Sequence, residues 1–209
     1  MASDTAYFGL RSPSDTASPY RAMRYVISQM LARLATATLV EVITVHAGGV
    51  SALTTVDVQP IVNQIDGIGT ATPHGTIYKM PAWRVLSANG QIVNDPVVGD
   101  IGLAIFCHSD ISAAVANMAV SNPGSFRKFD WADGIYLGGL FNEEPTQSIE
   151  ITAQSIVITP GSGGVVVNGN LTATGTITGQ TDVIAATVSG KTHVHSGVST
   201  GSGDTGEPV

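Results

Sequence analysis

Three patterns of apolar and polar residues follow one another along the chain. In the first, Met23, Val26, Ile27, Met30, Leu31 and Leu34 recur at the three-and-four spacing that sets one apolar stripe on a helix. Ser18-Pro19 starts it, with serine as N-cap and proline at the first helical position, where no N–H is needed. The stripe has two candidate covers, its own domain or copies of itself in an oligomer. Residues 1–17 ahead of it are polar and small and read as an extended arm.

From Thr38 the period drops. Thr38–His46 and Ser51–Gln59 are β-rich runs split by Ala47-Gly48-Gly49, a hairpin signal. Further strands are expected at 76–80, 82–86, 101–107 and 135–141, with turns at Asp95-Pro96, Gly99-Asp100 and Asp133-Gly134. Ser109 or Asp110 is placed to cap a short helix running to Ala119. Several short strands with one small helix over 38–142 suit a small closed barrel of the OB-fold type. Glu143-Glu144-Pro145 reads as a boundary.

The third pattern fills the last part of the chain. Val165, Val167, Gly169, Leu171, Ala173, Gly175, Ile177 and Gly179 occupy odd positions; Asn168, Asn170, Thr172, Thr174, Thr176, Thr178, Gln180 and Asp182 occupy even ones. A period of two means extended chain with one dry face and one wet face. The phase holds, with lapses at Val166 and Thr181, well past the usual strand of 3–10 residues. A set of short hairpins in a single-chain sheet and an intertwined β-prism of three chains both accommodate it. The dry face is narrow and no second layer is encoded to cover a flat sheet, whose long edges would stay unprotected. A trimer, in which each dry face packs on two copies of itself, is therefore the favoured expectation.

Composition reinforces this division. Of 209 residues 43% are hydrophobic and only 12% charged, which is not the composition of a disordered chain. All five Phe, all five Tyr and both Trp lie at or before Phe141; from Thr146 to Val209 there is no aromatic, Arg, Met or Cys. Bulky side chains supply most of a compact core, so the last third is expected to make none alone. A net charge of −7 opposes binding to a nucleic-acid backbone. The lone Cys107 excludes an intrachain disulfide and a multi-cysteine zinc site. Met1–Thr5 lacks the basic and apolar regions of a signal peptide, and no run has the roughly 18 apolar residues of a membrane-spanning helix; synthesis in the cytoplasm is the expectation.

The candidate chemistry lies near the end. In Lys191-Thr192-His193-Val194-His195 the two histidines share a strand face and fall on the odd phase of Val165 and Leu171. If that register survives Ser189-Gly190, both point at the axis. Neutral imidazole is a common metal ligand. Two per chain from three chains give six nitrogens, an octahedral set that suits Fe(II), or Ni or Co, better than tetrahedral zinc. The tail after it, rich in Gly, Ser and Thr, reads either as disordered or as a tight cap around the metal. Asp204 is expected to face water.

Elsewhere the residues read as structural. His46, His74 and His108 have no carboxylate or cysteine at ligand spacing, and Cys107 sits in an apolar run with no adjacent base. Trp83 and Trp131 are expected in the barrel core or an interface. Gly67-Ile68-Gly69 lacks the further glycine and helix of a dinucleotide site, and no G-x-S-x-G, HExxH or phosphate-binding loop occurs. Glu143-Glu144, at a boundary, is a poor acid/base pair. No catalytic constellation is found, so the expectation is a non-enzyme.

The order of parts resembles the central spike of contractile phage tails, the baseplate assembly protein V family, related to the VgrG tips of type VI secretion. The resembling residues are Ala22–Ala35, Asp95–Leu103, Arg127–Gly134, Tyr136–Phe141, the Thr/Gly/Val stretch, Thr192–His195 and Gly203–Pro208. The resemblance implies a mainly β homotrimer: an N-terminal arm and helix (1–37), an OB-fold collar (38–142) docked on a baseplate hub protein, a β-helical shaft (143–190) and a metal-binding apex (191–209). It also implies one histidine-bound iron ion per trimer, held here by His193 and His195, and a location in the virion at the baseplate tip. Tail contraction would drive this spike through the host outer membrane. Three other functions compete. A tail-associated glycan-binding adhesin would want exposed distal aromatics, and 146–209 have none. An OB-fold nucleic-acid binder would want a basic groove. A cell-wall hydrolase would want a carboxylate pair and a longer chain.

Overall fold

The computed structural model describes residues 13–50, 53–66 and 69–194, together with 197 and 201. The chain divides into two units, Met1–Glu144 and Pro145–Val209. It is mainly β, with an N-terminal helix and a curled sheet.

In the first unit Pro13–Thr16 forms a single 3-10 turn, so the described end of the expected extended arm is helical. Helix α1 (Pro19–Leu31) begins as its sequence dictates: the Ser18 side chain accepts from the Arg21 N–H at 3.3 Å, and proline occupies the first turn. Among the described residues, eight strands and a second helix precede the last strand of this unit: β1 (Ala37–His46), β2 (Thr55–Pro60), β3 (Gln64–Ile65), β4 (Ala71–Thr72), β5 (Ile77–Pro81), β6 (Val85–Ser87), β7 (Gly90–Ile92), then β8 (Ile101–Phe106), α2 (Ser112–Asn117) and β9 (Gly134–Gly139). The main sheet runs β5-β2-β1-β8-β9 with every pair antiparallel. It curls until its edges touch. Just past β5, Ala82 bridges Tyr136 of β9 in the parallel sense, and the Trp83 N–H donates to the Tyr136 carbonyl at 2.8 Å.

The inner face is set by alternation. Val40 and Val42 of β1, Val56 and Val58 of β2, Ala104 and Phe106 of β8, and Tyr136 of β9 all point inward, joined by Ala35 and Met80. Val45, Ile77, Ala82 and Trp131 close the margins. Two glycines are required by this packing. A Cβ on Gly102 would collide with the Gly138 carbonyl and the Tyr136 ring; one on Gly134 would strike the Met80 methyl and the Phe106 ring. Gly134 has an extended backbone with φ −87°, so it is needed for close approach and not for a left-handed turn.

Several expected elements shift. The second strand starts at Thr55, later than the expected Ser51, and Ala47 and Gly49 ahead of it sit at positive φ; Ser51 itself lies outside the described residues. The strand expected at 82–86 is instead β6, paired with β7 in a separate hairpin turned at Ala88-Asn89. Helix α2 is shorter than the expected run to Ala119, since Met118 turns left-handed at φ 48°. Its first turn is capped from Asp110, whose carboxylate accepts from the Ser112 N–H at 2.9 Å.

The second unit holds two hairpins. In β10 (Ser148–Ile151) and β11 (Ile156–Thr159), Ile149 lies opposite Ile158 and Ile151 opposite Ile156, so four isoleucines share one face. The turn is tied by Thr152, whose Oγ1 accepts from the N–H groups of Gln154 and Ser155. The other hairpin pairs β12 (Ile184–Ala185) with β13 (Val188–Ser189). Among the described residues no strand is assigned between Thr159 and Ile184, across the whole period-two stretch. No described residue of this unit is buried; Val165, Leu171 and Ile177 are 60, 75 and 66% exposed.

Candidate functional site

The site begins in the β12–β13 hairpin. Its loop is two residues, Ala186-Thr187, with Ala186 at φ 57°, as the primed turns of tight hairpins require. Asp182 braces the base. Its Oδ1 accepts from the Val183 N–H at 2.8 Å and the Lys191 N–H at 3.1 Å. The Ser189 hydroxyl, with those N–H groups and that of Gly190, holds the Asp182 carboxyl below its ordinary value. The strand carbonyl of Val183 also receives the Gly190 N–H at 2.7 Å. Ser189 then organises the residues that follow: its Oγ accepts from the Lys191 and Thr192 N–H groups, and its carbonyl accepts from the His193 N–H at 3.1 Å.

His193 is thereby held at a defined place on an exposed loop. Its Nδ1 lies 3.1 Å from the Ser189 carbonyl and 3.2 Å from the Gly190 carbonyl. Carbonyls only accept, so Nδ1 carries the proton in these contacts. A ring nitrogen donating to a backbone carbonyl is the arrangement that orients metal-binding histidines, and the residues present fit a metal ligand in that respect. His195 and Asp204 lie outside the described residues, so the pairing of His193 with His195 on one face falls outside them too. Among the described residues of one chain, no three His, Cys, Asp or Glu side chains gather as a metal site would need.

The other histidines sit in structural contacts. His46 Nε2 lies 2.9 Å from Asp57 Oδ1 without hydrogen-bond alignment. His74 contacts Gln64 at 2.8 Å and packs on the Trp131 ring. His108 contacts Ser109 and the edge of Phe129. Trp131 stands edge-on to Phe106 at the core margin, whereas Trp83 is exposed. Cys107 is half-buried, and burial together with the nearby Asp133 charge pushes its thiol pKa up, away from nucleophilic reactivity.

Two buried polar clusters were not foreseen from the sequence. In the first, the Arg127 guanidinium reaches Asp110 and Asp133 at 3.0 Å each, and Ser125 donates to Asp110 at 2.6 Å. Hydrogen bonds from Ser112 and Ser125, with the Arg127 charge, draw the Asp110 carboxyl down to about 2. In the second, Arg84 joins Asp95, Thr54 and the Gly49 carbonyl, and Asp95 accepts from the Gly49 N–H. Burial raises the Asp95 carboxyl, but these donors outweigh it and leave the group below its ordinary value. Each ties a loop to the curled sheet. Their members are 46 residues apart at most, and no local spacing announces such pairs. No family model matches the chain, and no curated protein matches it.

Proposed function

We propose that the protein is a non-enzymatic, trimeric spike of the contractile-tail baseplate type, which pierces the host outer membrane when the tail contracts. The observation that carries this reading is the second unit itself. It keeps an apolar–polar alternation over 165–179 that lapses only at Val166, yet buries no described residue and pairs no strand there within its own chain. Regular alternation without a partner points to a partner of the same sequence, because a dry face of Val, Ile, Ala and Gly fits a narrow axis shared by three copies. The first unit supports the collar. With the strands of the curled sheet counted in order, it runs third, second, first, fourth, fifth, with a parallel contact just past the third against the fifth, an order that supports reading it as an OB-fold collar.

In this reading the barrel docks on a hub protein and the second unit forms the shaft. His193 and His195 of three chains would hold one octahedral transition ion, iron by the family resemblance, which would tie three chain ends together. Binding only the assembled tip, the ion would stabilise the part most prone to fraying. The shaft, 143–190, carries Glu143 and Glu144 at its boundary and beyond them only Glu150 and Asp182, and low charge lowers the cost of passing through lipid. Lysines added at Thr172, Thr174 and Thr176 are expected to reduce infectivity while leaving assembly intact; unchanged plating efficiency would argue against the lipid-crossing part of the reading. The test of the assembly is copy number: three chains support it, and one chain overturns it.

A further inference from the structure

Helix α1 carries its apolar side outward. Its half-buried positions are Ala22, Tyr25 and Gln29, the side next to the preceding 3-10 turn. The opposite side is bare. Met23 and Met30 are each 65% exposed, Tyr20, Ile27, Leu31 and Leu34 are exposed as well, and no residue of the helix is buried. A helix of 13 residues is marginal in water without such a face being covered.

The bare stripe has a period of its own. Tyr20, Met23, Ile27, Met30 and Leu34 follow at steps of three, four, three and four, the a and d spacing of a coiled coil. Val26 and Arg33 then fall at g positions, Arg24 and Leu31 at e positions. Between parallel helices in register, each g residue meets the e residue five places on in its neighbour. Val26 therefore meets Leu31, Arg24 meets Pro19, and no arginine meets another. The seam therefore sets no like charges against each other, although the helix contains Arg21 and Arg24 and no acid. Val26 and Leu31 also widen the stripe beyond a two-stranded seam. The stripe exposes on the order of 600 Å² of apolar surface per helix; shared between two neighbours in a three-helix collar, this gives about 600 Å² per helix pair, below a free-standing specific interface, so the collar needs the rest of the trimer to hold the helices together.

We propose that α1 packs parallel and in register against α1 of two further copies, forming a three-helix collar at the N-terminal end. The number three rests on the trimer proposed above, which would hold the helices at high local concentration. The test uses the full chain with Cys107 retained as background. Tyr20→Cys places a thiol at one end of the seam, where only parallel, in-register helices bring two together; Arg21→Cys places one on the outer side. Mild oxidation should convert most Tyr20→Cys chains to covalent dimers and leave Arg21→Cys at the level of the unaltered chain. Ile27→Cys, at the centre of the same seam, should cross-link likewise and serves if Tyr20→Cys folds poorly. Equal cross-linking of seam and outer variants, in a protein whose native mass is still three chains, overturns the collar and leaves the trimer standing. A native mass of one chain removes both. Sedimentation of the unaltered chain with phosphatidylglycerol vesicles, lost in Ile27→Asp and without seam cross-linking, would assign the stripe to a lipid surface and likewise overturn the collar.

Discussion

The Asp110 carboxyl, drawn down to about 2 by Ser112, Ser125 and Arg127, makes the barrel sensitive to acid in a definable window. A carboxyl with a folded pKa below its unfolded value contributes stability that is complete above about pH 4 and lost as pH falls toward 2. Asp57 and Asp95 are lowered too and act in the same sense. The thermal midpoint should thus stay level above pH 5 and fall between pH 4 and 2. Asp110→Asn should melt lower at pH 7 but fall less steeply in acid; an unaltered acid slope would contradict the assignment. Sterics give a second prediction at this scale. Gly102→Ala, facing the Tyr136 ring and the Gly138 carbonyl, should cost about 2–3 kcal/mol in denaturant unfolding. Val58→Ala, in the fully buried core, should cost about 2 kcal/mol. Little at this scale was legible beforehand. The Asp133-Gly134 pair was read as a turn, but its glycine serves a close approach between β5, β8 and β9 that only the assembled sheet creates. Ion pairs such as Arg127 with Asp110 depend on loop geometry and leave no periodic trace.

Elements were far more legible, because periodicity is a local property. The Ser18-Pro19 helix start, β1 within one residue, and the strands at 101–106 and 134–139 all follow from patterns of apolar residues and turns. The misreadings came where tertiary contacts decide. The run at 82–86 is apolar enough for a sheet strand, but the Ala82 N–H goes to the Thr54 carbonyl and the Trp83 N–H to Tyr136 of β9, and the rest folds back as β6 and β7. The β10–β11 hairpin gives the sharpest prediction at this scale. A two-stranded hairpin is barely stable alone, and its four isoleucines are all exposed within one chain. Ile149→Asn with Ile151→Asn should weaken or abolish the oligomer in sedimentation velocity runs. Thr159→Asn, on the other face, should leave it as it was. If the isoleucine pair changes nothing, that face is not an assembly surface.

At the scale of the whole molecule the two units obey different rules. The first has an ordinary core, with valines alternating across curled strands. The second has an alternating sequence and buries none of its described residues, and in the proposed reading its order comes from further copies of the chain. The missing aromatics after Phe141 fit this, since a narrow shared axis leaves no room for large rings. What the period-two stretch pairs with is not written in one chain's pattern, which records only which side is dry. His193 follows the same logic: one chain orients its imidazole through the Ser189 and Gly190 carbonyls but supplies no converging ligand set among the described residues. His193→Ala with His195→Ala should therefore remove bound metal and leave the oligomer intact, since the shaft's packing does not depend on the ion. The most direct measurement of the whole account is native mass spectrometry of the purified protein. The account predicts three chains carrying one transition ion; a single chain without metal would contradict it.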